Sequence, residues 1–293
     1  MCGIVGLFIK DPRIEPELGA LLSTMLGVMC DRGPDSAGFA IYGEGRPGSV
    51  KLTLRGPKGT DFASLAAGLG LSVTARDTHA VLSVPVEQEA AVRASLAASA
   101  PEIAVVGAGE RMEIYKEVGL PTEVSKRFGL ERMGGTHAIG HTRMATESAV
   151  TTDGAHPFST GADQCLVHNG SLSNHRGLRR RLEREGLAFA TDNDSEVAAA
   201  YLTSRMRAGD TLGQALEHSL ADLDGFYTFV VGTESGFGVL RDPIACKPAV
   251  MAETDAYVAF GSEYRALADL PGIGSAKVWE PEPAKVYFWN RLQ

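Results

Sequence analysis

The sequence predicts an α+β fold, and three features of it carry that prediction. Short apolar runs punctuated by glycine recur along the chain, as buried strands do. A smaller number of segments carry the three-and-four spacing of amphipathic helices. No internal repeat and no low-complexity linker interrupts them, so layered sheets with intervening helices fit best. The 293 residues are about twice the ~150-residue domain prior, which allows one large or two small domains with a real core. A hydrophobic fraction of 44% and a charged fraction of 22% exclude disorder, collagen and coiled coil. The net charge is −8 and the pI about 5.4. Without a long basic run, this argues against nucleic acid or an anionic membrane as partner. No apolar stretch approaches the ~20 residues of a spanning helix. The opening MCGIVGLFIKDPR lacks the basic start and small-residue cleavage site of a signal peptide. The four cysteines, Cys2, Cys30, Cys165 and Cys246, form no CxxC pair. A zinc ribbon or thioredoxin-like site is therefore disfavoured, and reduced thiols in a cytoplasmic protein are expected.

Taken in order, CGIVGLFI (2–9) reads as a buried strand that begins almost at the terminus. In 16–30, Leu18, Leu21, Leu22, Met25, Leu26 and Met29 share one helical face. DRGPDSAG is a turn-rich loop, and GFAIYG another strand. From about Gly56 to Met133 the composition changes. There LSVPV (82–86), QEAAVRASLAAS (88–99) and EIAVVGAG (102–109) predict strand, helix and strand, an inserted β-α-β module. The glycine-punctuated pattern then returns. HAIGHTRMATES ends a strand in a loop, and DQCLVHNGSLSN is a strand with a polar loop. HRGLRRRLEREG (175–186) predicts a charged, solvated helix. SEVAAAYLTSRM (195–206) and TLGQALEHSL (211–220) predict two more. GFYTFVVGT, GFGVLRD, PAVMAET and AYVAFGSE read as four successive strands, and KVYFWN closes the chain.

Cys2 offers the first chemistry. Methionine removal before a small second residue would leave a thiol and a free α-amine on one residue. A thiol ionises near ~8.5 and an α-amine near ~7.7–8.0, so nucleophile and base can share that residue. Position alone favours a buried structural cysteine in a strand. Asn169-Gly170 reads either as a pair of amide donors or as a hairpin turn. Arg143 reads as a fork for a carboxylate or as a surface arginine. Asp194 reads as a ligand or as a helix N-cap before Ser195.

MCGIVGLF, DRGPDSAG, GHTRMAT, AHPF, HNG and NDSE occur in that order. Together they resemble the class II glutamine amidotransferase domain, an N-terminal-nucleophile hydrolase, across most of 1–55 and 134–265. The resemblance implies a four-layer αββα sandwich of two mainly antiparallel sheets, with the 56–133 module on its surface. It implies Cys2 as nucleophile, and Asn169 and the Gly170 N–H as oxyanion donors. Arg143 and Asp194 would hold the α-carboxylate and α-ammonium of glutamine. Thr146 would contact the substrate, and Arg32 would border the nucleophile, with Gly33 permitting a close approach. It implies no metal and no catalytic histidine, so His141, His156 and His168 would be satisfied structural histidines. Two positions depart from the family pattern. Met144 stands where many members have tryptophan, and Glu147 where many have histidine.

The inserted module and the wording around the motifs resemble the stand-alone amidotransferase subunit of glutamate-synthase-like complexes, such as N-methylglutamate synthase. That implies hydrolysis of glutamine or a γ-glutamyl amide, with the amine passed to a flavin-containing partner and a β-helix subunit alongside. FMN and an iron–sulfur cluster would sit in those partners, and no cofactor in this chain. The alternatives are a non-hydrolytic regulatory subunit or a free-standing γ-glutamyl amide hydrolase.

Overall fold

The computed structural model describes residues 2–145 and 149–291. The chain opens with strand β1 (Gly3–Ile9), helix α1 (Leu18–Val28) and β2 (Ser36–Tyr42). It then makes β3 (Ser49–Arg55), α2 (Phe62–Leu69), β4 (Ser72–Arg76), β5 (His79–Pro85), α3 (Glu89–Ser99) and β6 (Ala104–Gly109). Next come β7 (Met112–Val118), α4 (Pro121–Phe128), β8 (His137–Arg143), β9 (Phe158–Gly161) and β10 (Gln164–Leu172). Helices α5 (His175–Arg184), α6 (Asp194–Arg207) and α7 (Leu212–Asp222) follow. Strands β11 (Gly225–Gly232), β12 (Gly236–Arg241), β13 (Val250–Glu253), β14 (Tyr257–Gly261), β15 (Lys277–Trp279) and β16 (Val286–Asn290) complete it.

The strands form a seven-stranded sheet, β15-β13-β14-β1-β8-β2-β7, a five-stranded sheet, β16-β12-β11-β10-β9, and a four-stranded sheet, β4-β5-β3-β6. Their pairings are antiparallel. Strand β1 shows why its sequence is apolar without alternation. Val5, Leu7 and Ile9 join a cluster with α1 and α4, while Ile4 and Phe8 join one with Val167, Val230 and Phe237 of the five-stranded sheet. A third cluster packs the other side of the five-stranded sheet on Leu178, Leu182, Val197 and Leu216 of α5–α7. A strand covered on both faces carries apolar residues at every position. No helix among the described residues is long and apolar enough to cross a membrane.

The inserted region differs from the expected β-α-β unit over 56–133. Its separate sheet begins at Ser49 and ends at Gly109, in the order strand-helix-strand-strand-helix-strand, the split βαβ arrangement. It has its own core of Leu52, Leu54, Phe62, Leu82, Val92 and Leu96. Residues 112–128 belong to the body instead. Strand β7 pairs with β2 along seven positions, and Val124 and Phe128 of α4 join the α1 cluster. Side-chain burial sets this boundary, and the change of composition at Gly56 falls after the first strand of the insert.

Candidate active site

Cys2 immediately precedes β1, the middle strand of its sheet, and is partly exposed. Two donors meet on its carbonyl oxygen: Arg32 Nε at 3.1 Å and Asn169 Nδ2 at 3.3 Å. The Asn169 amide carries a second hydrogen, so one nitrogen can hold the Cys2 backbone and also serve an oxyanion. The Cys2 Sγ lies 4.0 Å from the Met144 carbonyl. Arg32 is buried and donates through Nη1 to Glu263, which also pairs with Arg265 at 2.6 Å. The Arg32 hydrogen bond holds the Glu263 carboxyl below its ordinary range. Gly33 makes this packing possible, because a Cβ there would stand 2.4 Å from the Thr142 carbonyl carbon. The Ile4 N–H donates to the buried Ser262 Oγ at 2.9 Å, fixing the start of β1 to the end of β14.

Asn169 and Gly170 lie inside β10, opposite Thr228 and Tyr227 of β11, so the hairpin-turn alternative does not hold. Gly170 has φ +151°, and a Cβ there would meet the Phe226 carbonyl oxygen at 2.0 Å. Only glycine fits this position.

The pairing of Gly3 with Thr142 sets Arg143, at the end of β8, beside Cys2. Arg143 is buried, and its Nη1 donates to the Ala149 carbonyl at 3.4 Å. Asp35 anchors the turn after it, accepting from Ala145 N at 2.8 Å through its side chain and donating its own N–H to the Arg143 carbonyl at 3.1 Å. Asp194 is the first residue of α6. The cap is Asn193, whose side chain accepts from Ser195 N, so Asp194 is not the N-cap. Its Oδ2 accepts from Leu172 N at 2.9 Å, which ties it to the strand that carries Asn169. Thr146 and Glu147 lie outside the described residues.

The three motif histidines are buried, and desolvation depresses each. His141 is held down to about 3, His156 well below its usual value, and His168 lower despite the opposing charge of Asp194. They are only partly satisfied. His141 Nε2 donates to the His168 carbonyl at 3.1 Å, and His168 Nδ1 meets Ser195 Oγ at 2.9 Å. His141 Nδ1, His168 Nε2 and both nitrogens of His156 are buried without a hydrogen-bond partner among the described residues. His156 instead stacks on His141 at 4.0 Å. Among the described residues no group of three or more His, Cys, Asp or Glu could hold a metal ion.

Sequence reasoning missed Glu263, Asp35 and Lys116. Asp35 stood inside a quoted motif, where its spacing from Arg32 was the available signal. Lys116 gave none. It is buried, and its ammonium donates to the carbonyls of Asp153, Ala155 and Pro157 at 3.1, 2.8 and 3.4 Å. Burial lowers its pKa to about 8.

Cys2 thus leads a strand in mid-sheet, with an arginine and an asparagine turned onto it. The chain is a member of the class II glutamine amidotransferase family. A family profile described as "Glutamine amidotransferase domain" matches residues 141–269. The chain is 66% identical to the "Glutamine amidotransferase-like protein GlxB" of Rhizobium meliloti, over 99% of this chain and 98% of that one. It is 33% identical to a "Putative glutamine amidotransferase" of Methanothermobacter thermautotrophicus, over 98% and 99% of the two chains. Its fold matches the glutamine phosphoribosylpyrophosphate amidotransferase of B. subtilis with a TM-score of 0.65 at 22% identity. That match covers 99% of this chain and 48% of the other, so the chain spans about half the length of that enzyme.

Proposed function

We propose that the chain is a glutaminase-type amidotransferase subunit in which mature Cys2 attacks the γ-amide carbon of glutamine. The observation that carries this reading is the convergence of Arg32 and Asn169 on the Cys2 carbonyl. Those bonds fix the backbone that bears both thiol and α-amine, a pre-organised pair of nucleophile and base. In this reading Met1 is removed. The thiol proton passes to the amine as sulfur bonds to carbon, and then to the departing ammonia. The thioester is hydrolysed by water, which releases glutamate and restores the thiol. The oxyanion of each tetrahedral intermediate is stabilised by the second Asn169 N–H and the Gly170 N–H. Arg143 holds the α-carboxylate, and Asp194 the α-ammonium. Thr146 completes the substrate contacts. The three apolar clusters support the layer order helix, sheet, sheet, helix of an N-terminal-nucleophile hydrolase.

We propose further that the amine passes to a flavin-containing, glutamate-synthase-like subunit, accompanied by a β-helix subunit, as in N-methylglutamate synthase. FMN and an iron–sulfur cluster then belong to the partners. The physical support is that ammonia released into bulk water is protonated to ammonium, which is not nucleophilic. Mass spectrometry should find the mature chain beginning at Cys2. A chain with an uncleavable N-terminal tag should lose glutaminase activity, because the amine becomes an amide. Undiminished turnover in the tagged chain overturns the mechanism. Co-purification with the flavin subunit should raise glutaminase activity, and a fully active chain indifferent to that subunit overturns the partner.

A further inference from the structure

The insert touches the body at the segment that follows the proposed carboxylate clamp. At the end of β3, Arg55 Nη2 is 2.7 Å from Asp153 Oδ1. In the β4–β5 turn, Thr78 Oγ1 donates to Glu117 Oε2 at 3.0 Å, and Asp77 pairs with Arg127 at 3.3 Å. Glu117, on β7 of the body, accepts from Thr152 Oγ1 on its other oxygen. Next to it, the Lys116 ammonium gathers the carbonyls of Asp153, Ala155 and Pro157. One stretch of chain, 149–157, is thus held from the insert and from β7 at once.

That stretch lies against Arg143. The Ala149 carbonyl accepts from Arg143 Nη1 at 3.4 Å, and a Cβ on Gly154 would stand 3.1 Å from the same atom. A guanidinium binds a carboxylate through two parallel hydrogen bonds only if its plane is fixed. The backing of that plane is therefore part of the binding site.

We propose that the inserted sheet is a positioning element for glutamine binding, acting through the Arg55–Asp153 and Thr78–Glu117–Thr152 contacts on segment 149–157 and so on the Arg143 guanidinium. This rests on the amidotransferase reading above. Arg55, Thr78 and Glu117 are positioning residues and touch no substrate. The contacts are partly exposed, and such pairs are worth little alone. The effect is accordingly a loss of affinity of about three- to tenfold, with turnover at saturation retained.

The test uses the full chain with Arg55→Asp, Asp153→Arg, the charge-swapped pair and Asp153→Asn. The last leaves the insert untouched should Arg55→Asp impair its folding. Amide hydrogen exchange is followed over 149–157, and the Kd for L-glutamine is measured by calorimetry in a Cys2→Ala background to prevent turnover. Each single change should speed exchange in 149–157 and raise the Kd three- to tenfold, and the swapped pair should restore both. In an Arg143→Lys background, Arg55→Asp should raise the Kd no further. Faster exchange with a Kd within twofold of the parent overturns the positioning role, as does unchanged exchange. A parent chain that binds no glutamine at all overturns the amidotransferase reading instead, and the two failures are told apart by that measurement.

Discussion

The two sides of the site are held by different kinds of structure. The Cys2 side is built on β ladders: β1 lies between β14 and β8, and its head is tied to Asn169, Arg32 and Ser262. Arg143 also ends a ladder strand, β8, but its guanidinium lies against a connecting segment whose anchors are single side chains, Lys116, Glu117 and Arg55. Ladder positions share their load with neighbours, whereas a segment held at a few points moves when one is lost. Under the proposed roles, changes on the Cys2 side should alter rate, and changes at the Arg143 guanidinium or its backing should alter affinity.

The largest expected effect is on the ladder side. Cys2→Ala should abolish glutamine hydrolysis while the thermal midpoint moves little, since one partly exposed thiol is lost. A residual rate in a scrupulously purified variant would break the assignment of nucleophile. Asn169→Ala should lower kcat by roughly 10²- to 10³-fold, the usual cost of an oxyanion donor, with a KM near that of the parent. Should KM carry the change instead, Asn169 belongs to binding. Arg143→Lys keeps the charge and loses the fork, so KM should rise about ten- to a hundredfold with kcat nearly constant. Steady-state kinetics with glutamine separates these patterns.

A smaller effect per residue concerns acid. Burial holds His79, His137 and His141 down to about 3 and lowers His156 and His168. In the unfolded chain they take up protons near ~6.5. Between those limits the unfolded state binds more protons, so stability falls as pH drops from about 6.5 toward 3. Each histidine contributes up to ~1.4 kcal/mol per pH unit, a tenfold change in the unfolding constant. Urea unfolding at pH 7.5, 6.5 and 5.5 measures it. His79, set against Tyr115 and Phe128 where insert meets body, sharpens the contrast: His79→Gln should remove one histidine's share of the slope. A stability that stays flat over this range would contradict the burial of these rings.

Much of the body was legible because its strands are buried on both faces. CGIVGLFI, GFYTFVVGT and AYVAFGSE announce β1, β11 and β14 as unbroken apolar runs. Strands β3 and β7 were not. SVKLTLR and MEIYKEV mix charges with apolar residues, and those charges find partners across the fold, as Lys51 does with Glu113 at 2.8 Å. Strand β4, SVTAR, is largely exposed and carries no burial signal. At the site, Arg32 and Asn169 could be paired with Cys2 through the order of motifs. Glu263 could not, because it meets Arg32 across 231 positions of sequence, and no local pattern encodes such a contact. Lys116 was hidden for the same reason, since its partners are backbone carbonyls and carry no side-chain signature.

The central place of β1 in the seven-stranded sheet also sets an order of events in biosynthesis. Its partners are β8, which begins at His137, and β14, which begins at Tyr257. At ~5–20 residues per second, the ribosome delivers the second partner on the order of tens of seconds after the first strand. Until then β1 has at most one of its two ladder partners. That interval is when an aminopeptidase would find the terminus accessible, and when an aggregating neighbour would find it too. If, as proposed, Cys2 works through a free amine, trimming that lags behind translation would leave a chain folded around a blocked one.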